Sequence, residues 1–500
     1  MEVARRTGAA VLLAVMAAGC STDKAKQDES SANASIPVWT LSTTSDEARK
    51  RVEAGERLSD GGHPLKAYEQ FKRAVAADSA FAYAYLRVAE TGLSADEFTT
   101  NLQRAEAYAA TANETERLLI QIDRKSLDND IQGALELTQQ LTAREAKNPR
   151  SWLTLAFQQQ GMGQVAEARA TFQKAVDLAP RSGLPLLSLG NSYVRLEPRD
   201  FSKAEQYVLA GQKLWPEEPL SYDFLGAVRR AQGRLEEAAA AYSRLIELEP
   251  QAPRSFGLRG NAYTFLGQYD KARADYDASI RVSKREEVPY NAVNRALISV
   301  YAGDLNAAIK ELDQVAQSVD GLQLADPDGP KARTYEYELI LASYRHRFDV
   351  ADKALVQYAA LSRKRADKTG SAGFRRSTDA QIAYNEGMVA AFKGDYATTE
   401  RKAVEIVKLR EADRDPTKDR PVHTLRGFIA LFQKKDYATA VSEFNQADPT
   451  DMLIAYHRAL ALEGAGRTAD AKALFTKIAN YNFLSPEPAA VRSDAIAKAK

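Results

Sequence analysis

The 500-residue sequence is poor in the residues from which metal centres, disulfides and nucleophilic sites are built. Its one cysteine is Cys20, so no disulfide can form within the chain and stability must come from packing. The four histidines, His63, His346, His423 and His457, are isolated from each other in sequence and none belongs to an HExxH pattern. A phosphate-binding GxxxxGK loop is also absent from the sequence. We therefore predict a protein that has no metal, no cofactor and no catalytic residues, and that is not an enzyme.

An excess of charge of one sign is missing as well. The chain has 68 basic and 67 acidic residues, with a formal net charge of +1. Such a balance gives no electrostatic reason to expect nucleic acid as a partner. Strand-like alternation of polar and apolar residues is not sustained anywhere, whereas 45% of the residues are hydrophobic. These features favour an all-α fold with a continuous core.

What the sequence does contain is an alanine that returns every 34 to 36 residues. Six positions carry this stride: Ala134, Ala168, Ala204, Ala238, Ala272 and Ala308. The clearest unit runs from Pro149 to Ser182, where Gly163 suits a turn between two short helices. The second helix then has an inner stripe of Ala168, Phe172 and Ala175, and Pro180 ends it. A period of this length made of two helices indicates a helical repeat protein.

These positions resemble the tetratricopeptide-repeat consensus, which reads Trp-x2-Leu-Gly-x2-Tyr, then Ala-x3-Phe, then Pro. The resemblance implies an α-solenoid, a right-handed superhelix of helix pairs that bury their apolar faces against their neighbours. A generic helical bundle is the alternative, but a bundle has no reason to keep a 34-residue register. We expect about twelve pairs over residues 46–500, most regular over 134–316, with irregular loops at 317–334, 362–379 and 410–421 and a C-terminal cap at 480–500.

The N-terminus has a different character. Arg5 and Arg6 precede an apolar run too short to span a bilayer, as in a signal peptide of residues 1–19. The run ends in Ala17-Ala18-Gly19-Cys20, which resembles a bacterial lipobox with alanine where leucine is usual. The resemblance implies lipidation of Cys20; ordinary cleavage near the same place is the alternative. Residues 20–45 are then a flexible tether, and the protein is anchored by lipid in the cell envelope, at the periplasmic or surface face of the outer membrane.

In tetratricopeptide arrays the first helix of each pair lines the concave face, where partners bind. By analogy, a partner groove is expected at ten positions: Leu153, Phe157, Leu187, Asn191, Arg230, Asn261, Phe265, Tyr290, Asn294 and Tyr301. This mix of aromatic, aliphatic and amide side chains suits an extended peptide or a partner helix. The alternative is that about half of these residues pack between adjacent pairs.

A second candidate is a basic stretch in the loop predicted at 362–379. Its members are Arg363, Lys364, Arg365, Lys368, Arg375 and Arg376, against one acid, Asp367. A solvated loop between repeats is one interpretation. The other is a contact with anionic headgroups or with an acidic partner.

The sequence thus predicts a membrane-tethered, non-enzymatic scaffold that captures a protein or peptide partner on a concave groove. One alternative is an accessory subunit of an envelope assembly or secretion machine. Another, from a different class, is a glycan or peptidoglycan hydrolase whose carboxylates lie among the many acids. The repeats leave no separate catalytic domain for such a hydrolase.

Overall fold

The computed structural model describes residues 35–92 and 94–500. The predicted signal peptide, Cys20 and the first part of the predicted tether lie outside these described residues. The described chain is built of α-helices joined by short turns and contains no β-strand. No helix among the described residues is both long and apolar enough to cross a bilayer. The prediction of an all-α solenoid is confirmed.

The chain divides into two compact units. Unit 1 comprises the described residues up to Ala262 together with Asp277–Val288, and unit 2 comprises Tyr263–Tyr276 and Pro289–Lys500. Six helix pairs build unit 1: α1 (Asp46–Gly61) with α2 (Pro64–Ala77), α3 (Ala82–Thr91) with α4 (Ala95–Ala107), α5 (Glu114–Leu127) with α6 (Ile131–Arg144), α7 (Pro149–Gly161) with α8 (Val165–Leu178), α9 (Gly183–Arg195) with α10 (Phe201–Leu214), and α11 (Pro219–Ala231) with α12 (Leu235–Leu248).

Two helices contribute several residues to each unit. They are α13 (Pro253–Phe265) and α14 (Tyr269–Val282). The remaining helices, which form most of unit 2, are α15 (Val288–Tyr301), α16 (Leu305–Ser318), α17 (Asp328–Tyr344), α18 (Phe348–Thr369), α19 (Ala372–Lys393), α20 (Tyr396–Leu409), α21 (Arg420–Phe428), α22 (Tyr437–Gln446), α23 (Met452–Gly464), α24 (Thr468–Ala479) and α25 (Pro486–Ala499).

The alanine stride marks the closest approach of the two helices in a pair. All six stride alanines are fully buried. In the pair α11–α12, a Cβ added at Gly226 would lie 2.3 Å from the ring of Tyr242, four residues after Ala238. Small residues let the backbones approach, and the large ring fills the space beside them. The period of the sequence is therefore the period of these crossings.

The same crossing recurs in unit 2 with one residue more in the connection. A Cβ at Gly427 would lie 2.5 Å from the ring of Phe444, so these two residues correspond to Gly226 and Tyr242. The chain between them contains a π-helical segment, Ile429–Lys434, that continues α21. A π turn accommodates one extra residue inside a helix, which keeps the contact while shifting the sequence spacing.

Most turns inside the pairs place one residue in the left-handed region. Gly163 and Gly233 have φ angles of 73° and 76° there, where glycine has no steric cost. Asn129, His346 and Lys435 occupy the corresponding turns with φ angles of 58°, 56° and 53°. These three turns thus keep the left-handed conformation although the sequence has no glycine there.

The first and last pairs of unit 1 meet. His63, in the turn after α1, contacts two carboxylates near the ends of α11 and α12: Nε2 lies 3.3 Å from Glu218, and Nδ1 is hydrogen-bonded to Glu249. Burial opposes protonation of this imidazole, but the two carboxylates prevail and raise its pKa. Lys66 adds a 2.7 Å ion pair to Glu249. The inner side of unit 1, which is lined by the first helices of its six pairs, is therefore enclosed.

In unit 2 the C-terminal helix folds back onto earlier helices. Helix α25 packs against α23, α24 and α17. Asp494 on α25 accepts a hydrogen bond of 2.7 Å from Tyr344 and pairs with Arg345 at 3.1 Å. Nearby, His457 is 2% exposed among aromatic rings, and burial lowers its pKa to about 4. Its Nδ1 lies 2.8 Å from the carbonyl oxygen of Leu453, so this histidine is a neutral core residue.

The prediction of an irregular basic loop over 362–379 is wrong. Residues up to Thr369 continue α18, and α19 begins at Ala372 after a turn at Gly370, whose φ is 66°. Acids near and distant in sequence pair with the basic side chains. The ion pairs are Arg363 and Arg375 with Asp379, Lys364 and Lys368 with Asp328, Arg365 with Asp326, and Arg376 with Asp413. Arg375 also pairs with Asp367, and Asp379 lies only four residues after Arg375 on α19, whereas Asp326, Asp328 and Asp413 come from segments distant in sequence.

The close approach in the pair α11–α12 can be tested by Gly226→Ala. We expect a loss of stability of about 1–3 kcal/mol, because the new methyl group overlaps a fully buried ring. Gly233→Ala is the comparison: no atom lies within 4 Å of its Cβ position, so only the left-handed backbone is strained, at about 1 kcal/mol. Thermal and denaturant unfolding measure both. A Gly226→Ala protein more stable than the native one would show that the helices do not approach closely.

Candidate functional site

An extended segment of the chain lies on the inner side of unit 1. The sequence predicted a flexible tether up to residue 45, but residues 35–45 are packed against helices, so that part of the prediction is wrong. Ile36 is 2% exposed in a cluster with Leu153 and Phe172, and Trp39 is 5% exposed in the core of the first three pairs. The apolar side chains of Ile36 and Trp39 explain the difference, because their burial offsets the entropy of ordering the segment.

Side chains of the helices hydrogen-bond to the main chain of this segment. The carbonyl oxygen of Thr40 accepts a 2.7 Å hydrogen bond from Asn113, and that of Pro37 accepts one of 3.4 Å from Arg150. The amide of Ser42 donates to a carboxylate oxygen of Glu116 at 2.9 Å. Main-chain recognition of this kind depends little on the sequence of the segment. The inner side of unit 1 thus holds an extended polypeptide.

Beneath the segment is a buried ionic network. Arg150 on α7 forms two hydrogen bonds to Asp60, of 2.7 and 3.0 Å, and one of 3.1 Å to Glu56. Arg87 on α3 lies 2.8 Å from the other oxygen of Glu56, which also accepts a 2.8 Å hydrogen bond from Tyr83. All of these charged residues are at most 8% exposed. The network joins the first, second and fourth pairs across the inner side.

A cavity of about 150 Å³ lies beside this network. Trp39 of the extended segment forms part of its wall, together with residues of all six first helices. Six acids and three arginines line it. The arginines are paired: Arg87 and Arg150 as described, and Arg254 with Asp223 through hydrogen bonds of 2.7 to 3.1 Å.

Two polar side chains of the cavity wall have unsatisfied atoms, apart from Arg87, whose Nε lies 2.8 Å from Glu56 without forming a hydrogen bond. Gln158 on α7 is 1% exposed, and neither its amide oxygen nor its amide nitrogen has a hydrogen-bond partner among the described residues. Asp123 on α5 is half-buried, but its Oδ2 is enclosed and likewise without a partner within the described chain. Burial raises the pKa of this carboxyl to about 7, while Arg87 opposes the rise. Buried polar atoms left unpaired are uncommon and point to a functional site.

The predicted groove residues of unit 1 differ in accessibility. Leu153, Phe157 and Asn191 line the cavity. Leu187 is fully buried, and it would meet a Cβ built at Gly211. Arg230 is 4% exposed, with its guanidinium 5.9 Å from the ring centroid of Tyr242. Asn261 on α13 is half-buried.

In unit 2, the remaining predicted groove residues are Phe265, Tyr290, Asn294 and Tyr301, all half-buried. The rings of Phe265 and Tyr301 meet edge to face at 5.3 Å, and the guanidinium of Arg492 on α25 lies 5.1 Å from the Phe265 ring. Burial raises the pKa of Tyr290 to about 12. The C-terminal helix of the chain therefore lies against part of this predicted groove.

Sequence reasoning missed Asp123, Gln158 and the ionic network. Glu56, Asp60, Arg87 and Asp123 lie on the first helices of the N-terminal pairs, where the match to the repeat consensus is weak. Arg150 and Gln158 lie on α7, at positions that were not assigned to the groove. One signal was available: Asp123 falls in a helical stripe with Leu119, Ile122 and Ser126, which all line the cavity. A carboxylate in such a stripe is unusual, because acidic side chains are seldom buried. Among the described residues, no group of three or more His, Cys, Asp or Glu side chains is arranged to hold a metal.

Comparison with known families agrees with the repeat period. Models of the tetratricopeptide repeat match residues 150–182 and 253–285, and a model described as a TPR repeat matches 226–264. No curated protein matches the sequence.

Solved structures of repeat proteins are also similar, at low identity. A thermophilic TPR protein of Thermus thermophilus is 18% identical, covering 40% of this chain and 97% of its own, with a TM-score of 0.31. One from Parabacteroides merdae is 15% identical, covering 58% and 98%, with a TM-score of 0.33. PilW, a type IV pilus biogenesis factor, is 18% identical, covering 41% and 94%, with a TM-score of 0.33. By its helix pairs and by the matching family models, this chain contains tetratricopeptide repeats, at residues 150–182 and 226–285.

Proposed function

We propose that this protein is a membrane-tethered scaffold that holds an extended segment of a partner polypeptide on the inner side of unit 1. One observation carries the proposal: the chain's own residues 35–45 already lie there, with buried apolar side chains and main-chain hydrogen bonds to Asn113, Arg150 and Glu116. A surface that binds its own extended segment has the polar and apolar groups that a similar foreign segment needs. Tetratricopeptide repeats serve as scaffolds for protein interactions, which is consistent with this role.

The tether is the second part of the proposal. Cys20, with the lipobox-like sequence before it, is the proposed site of lipidation. Chain length limits the distance between Cys20 and Ser35 to about 50 Å, at roughly 3.3–3.6 Å per residue. A lipid at Cys20 therefore keeps unit 1 near the membrane surface. The alternative is an accessory subunit of an envelope assembly or secretion machine, and the identity of a partner purified with the protein from membranes distinguishes the two.

The peptide-binding part is tested by displacing the intramolecular segment. In Trp39→Ala, the segment loses its largest buried side chain, so a labelled synthetic peptide of residues 35–45 competes better for the same surface. We expect this peptide to bind Trp39→Ala about tenfold or more tighter than the native protein, where a tethered competitor acts at an effective concentration in the millimolar range. Fluorescence anisotropy measures the affinities.

Tyr222→Ala is the matched control, because Tyr222 does not line the cavity, does not pack on the Ile36 cluster and donates to the carbonyl oxygen of Pro216. It should bind the peptide as weakly as the native protein. Circular dichroism and thermal unfolding verify that both variants remain folded. Failure of the peptide to bind folded Trp39→Ala would contradict the proposal.

The tether is tested by Cys20→Ala, with Ser21→Ala as the control. Without the thiol no lipid can be attached, so we expect Cys20→Ala to leave the membrane fraction while Ser21→Ala stays in it. Fractionation of cells followed by immunoblotting gives the distribution, and mass spectrometry of the N-terminal peptide identifies the lipid. Retention of Cys20→Ala in the membrane fraction would refute lipidation as the anchor.

A further inference from the structure

We infer that the cavity in unit 1 is a binding site for the alkylammonium end of a small organic cation, with Asp123 and Gln158 as its polar contacts. The lysine side chain of a bound peptide and a free alkylamine present the same chemistry. If the ligand is the lysine side chain of a bound peptide, the inference rests on the proposed function and adds that the partner segment contains a lysine. If the ligand is a free alkylamine, the inference does not depend on the proposed function.

The charges of the cavity wall select a cation. Its acids outnumber its arginines by six to three, and all three arginines are held by other carboxylates. Asp123 is the carboxylate of the wall that has no ion pair within the described chain. An anion would meet an excess of negative charge there, whereas an ammonium group would supply the partner that Asp123 lacks.

Gln158 supplies a second, neutral contact. Its side chain is 1% exposed, so bulk water does not satisfy the amide group, and both polar atoms remain without a partner among the described residues. The amide oxygen accepts a hydrogen bond from an ammonium group, which has three donors to distribute. A carboxylate and an amide on two different helices, α5 and α7, can then share one ligand.

The rest of the wall suits a short apolar stem. Aromatic rings line the cavity from Trp39, Phe157 and Phe224, and aliphatic side chains come from Leu119, Ile122 and Leu153. Aromatic faces attract cations as well as hydrocarbon. A cavity of about 150 Å³ accepts a ligand about the size of benzene, so a butylammonium group of five heavy atoms fits.

The carboxyl of Asp123 also lowers the stability of the fold when it is ionised. Its pKa is raised to about 7 in the folded protein, above the ordinary value of 3.8, so its ionisation lowers stability as the pH rises from about 4 to 7. The charged residues that line the same cavity are Glu56 and Asp60 on α1, Arg87 and Glu90 on α3, Arg150 on α7, Asp223 on α11, Glu249 after α12 and Arg254 on α13, and of these Arg87 acts on the Asp123 carboxyl. A residue that weakens the fold and lines a cavity is typical of a binding site.

The experiment is a calorimetric titration of the full-length protein at pH 8, where Asp123 is ionised and alkylamines are charged. Two cations are used, n-butylamine and Nα-acetyl-lysine methylamide, and each has a neutral counterpart of similar shape, n-butanol and Nα-acetyl-norleucine methylamide. We expect a cation to bind at least tenfold more tightly than its neutral counterpart. Binding of both cations assigns the site to a lysine side chain; binding of butylamine alone assigns it to a free amine.

Asp123→Asn should weaken binding of the cation at least tenfold, and Gln158→Leu should weaken it by a smaller factor. Asp128→Asn is the matched control, since Asp128 follows the same helix, carries the same charge and does not line the cavity. Folding is checked separately: Asp123→Asn should melt at a higher temperature than the native protein at pH 8, and at a similar temperature at pH 4.

The inference is overturned if the native protein binds neither cation, or if Asp123→Asn binds as tightly as Asp128→Asn. Either result leaves the displacement test with Trp39→Ala unaffected, because that test uses a peptide without lysine. Conversely, a failed displacement test with intact butylamine binding would remove the proposed peptide function and keep the cation site.

Discussion

The organisation of unit 1 depends on the two-pronged contact of Arg150 with Asp60 and Glu56. A buried guanidinium and two buried carboxylates are each costly to remove from water, and they are stable together only with the correct geometry. Arg150 meets Asp60 through two hydrogen bonds of 2.7 and 3.0 Å, and it meets Glu56 at 3.1 Å. In a repeat array, most contacts are between neighbouring pairs. This contact instead links the first pair to the fourth, and it fixes the distance across the inner side.

Other features follow from this distance. Arg150 also donates to the carbonyl oxygen of Pro37, so the ionic network and the extended segment share one residue. The segment places Trp39 in the cavity wall, and the contacts of His63 with Glu218 and Glu249 enclose the cavity from the side of the last pair. Within this enclosure, Asp123 and Gln158 have polar atoms that neither a hydrogen bond nor an ion pair satisfies among the described residues. On the same set of helices, the paired polar groups thus have a structural function, and the unpaired polar groups have the binding function.

The sequence was sufficient for the repeat because packing of a helix pair is a local property. Ala238, Gly226 and Tyr242 lie within one repeat, and their contact recurs with the sequence period. The candidate site was less predictable, because its parts come from Glu56, Asp123 and Arg150 in different pairs. The prediction of a basic loop was wrong for the same reason, because Asp326, Asp328 and Asp413 reach the basic side chains only through the tertiary fold. Spacing within a repeat shows which residues are buried, but not which distant charge they meet.

The most direct measurement is the stability and segment binding of Arg150→Met, which keeps the apolar stem and removes the charge. We predict a loss of about 3–5 kcal/mol in the free energy of unfolding, since Asp60 is left buried without a cation and Glu56 keeps only Arg87. Arg244→Met, at a surface arginine whose side chain is 39% exposed, should leave the melting temperature nearly unchanged. Tryptophan fluorescence should also shift to longer wavelength in Arg150→Met, because Trp39, one of the three tryptophans, becomes exposed as the segment is released. An Arg150→Met protein as stable as Arg244→Met, with Trp39 still buried, would contradict the account.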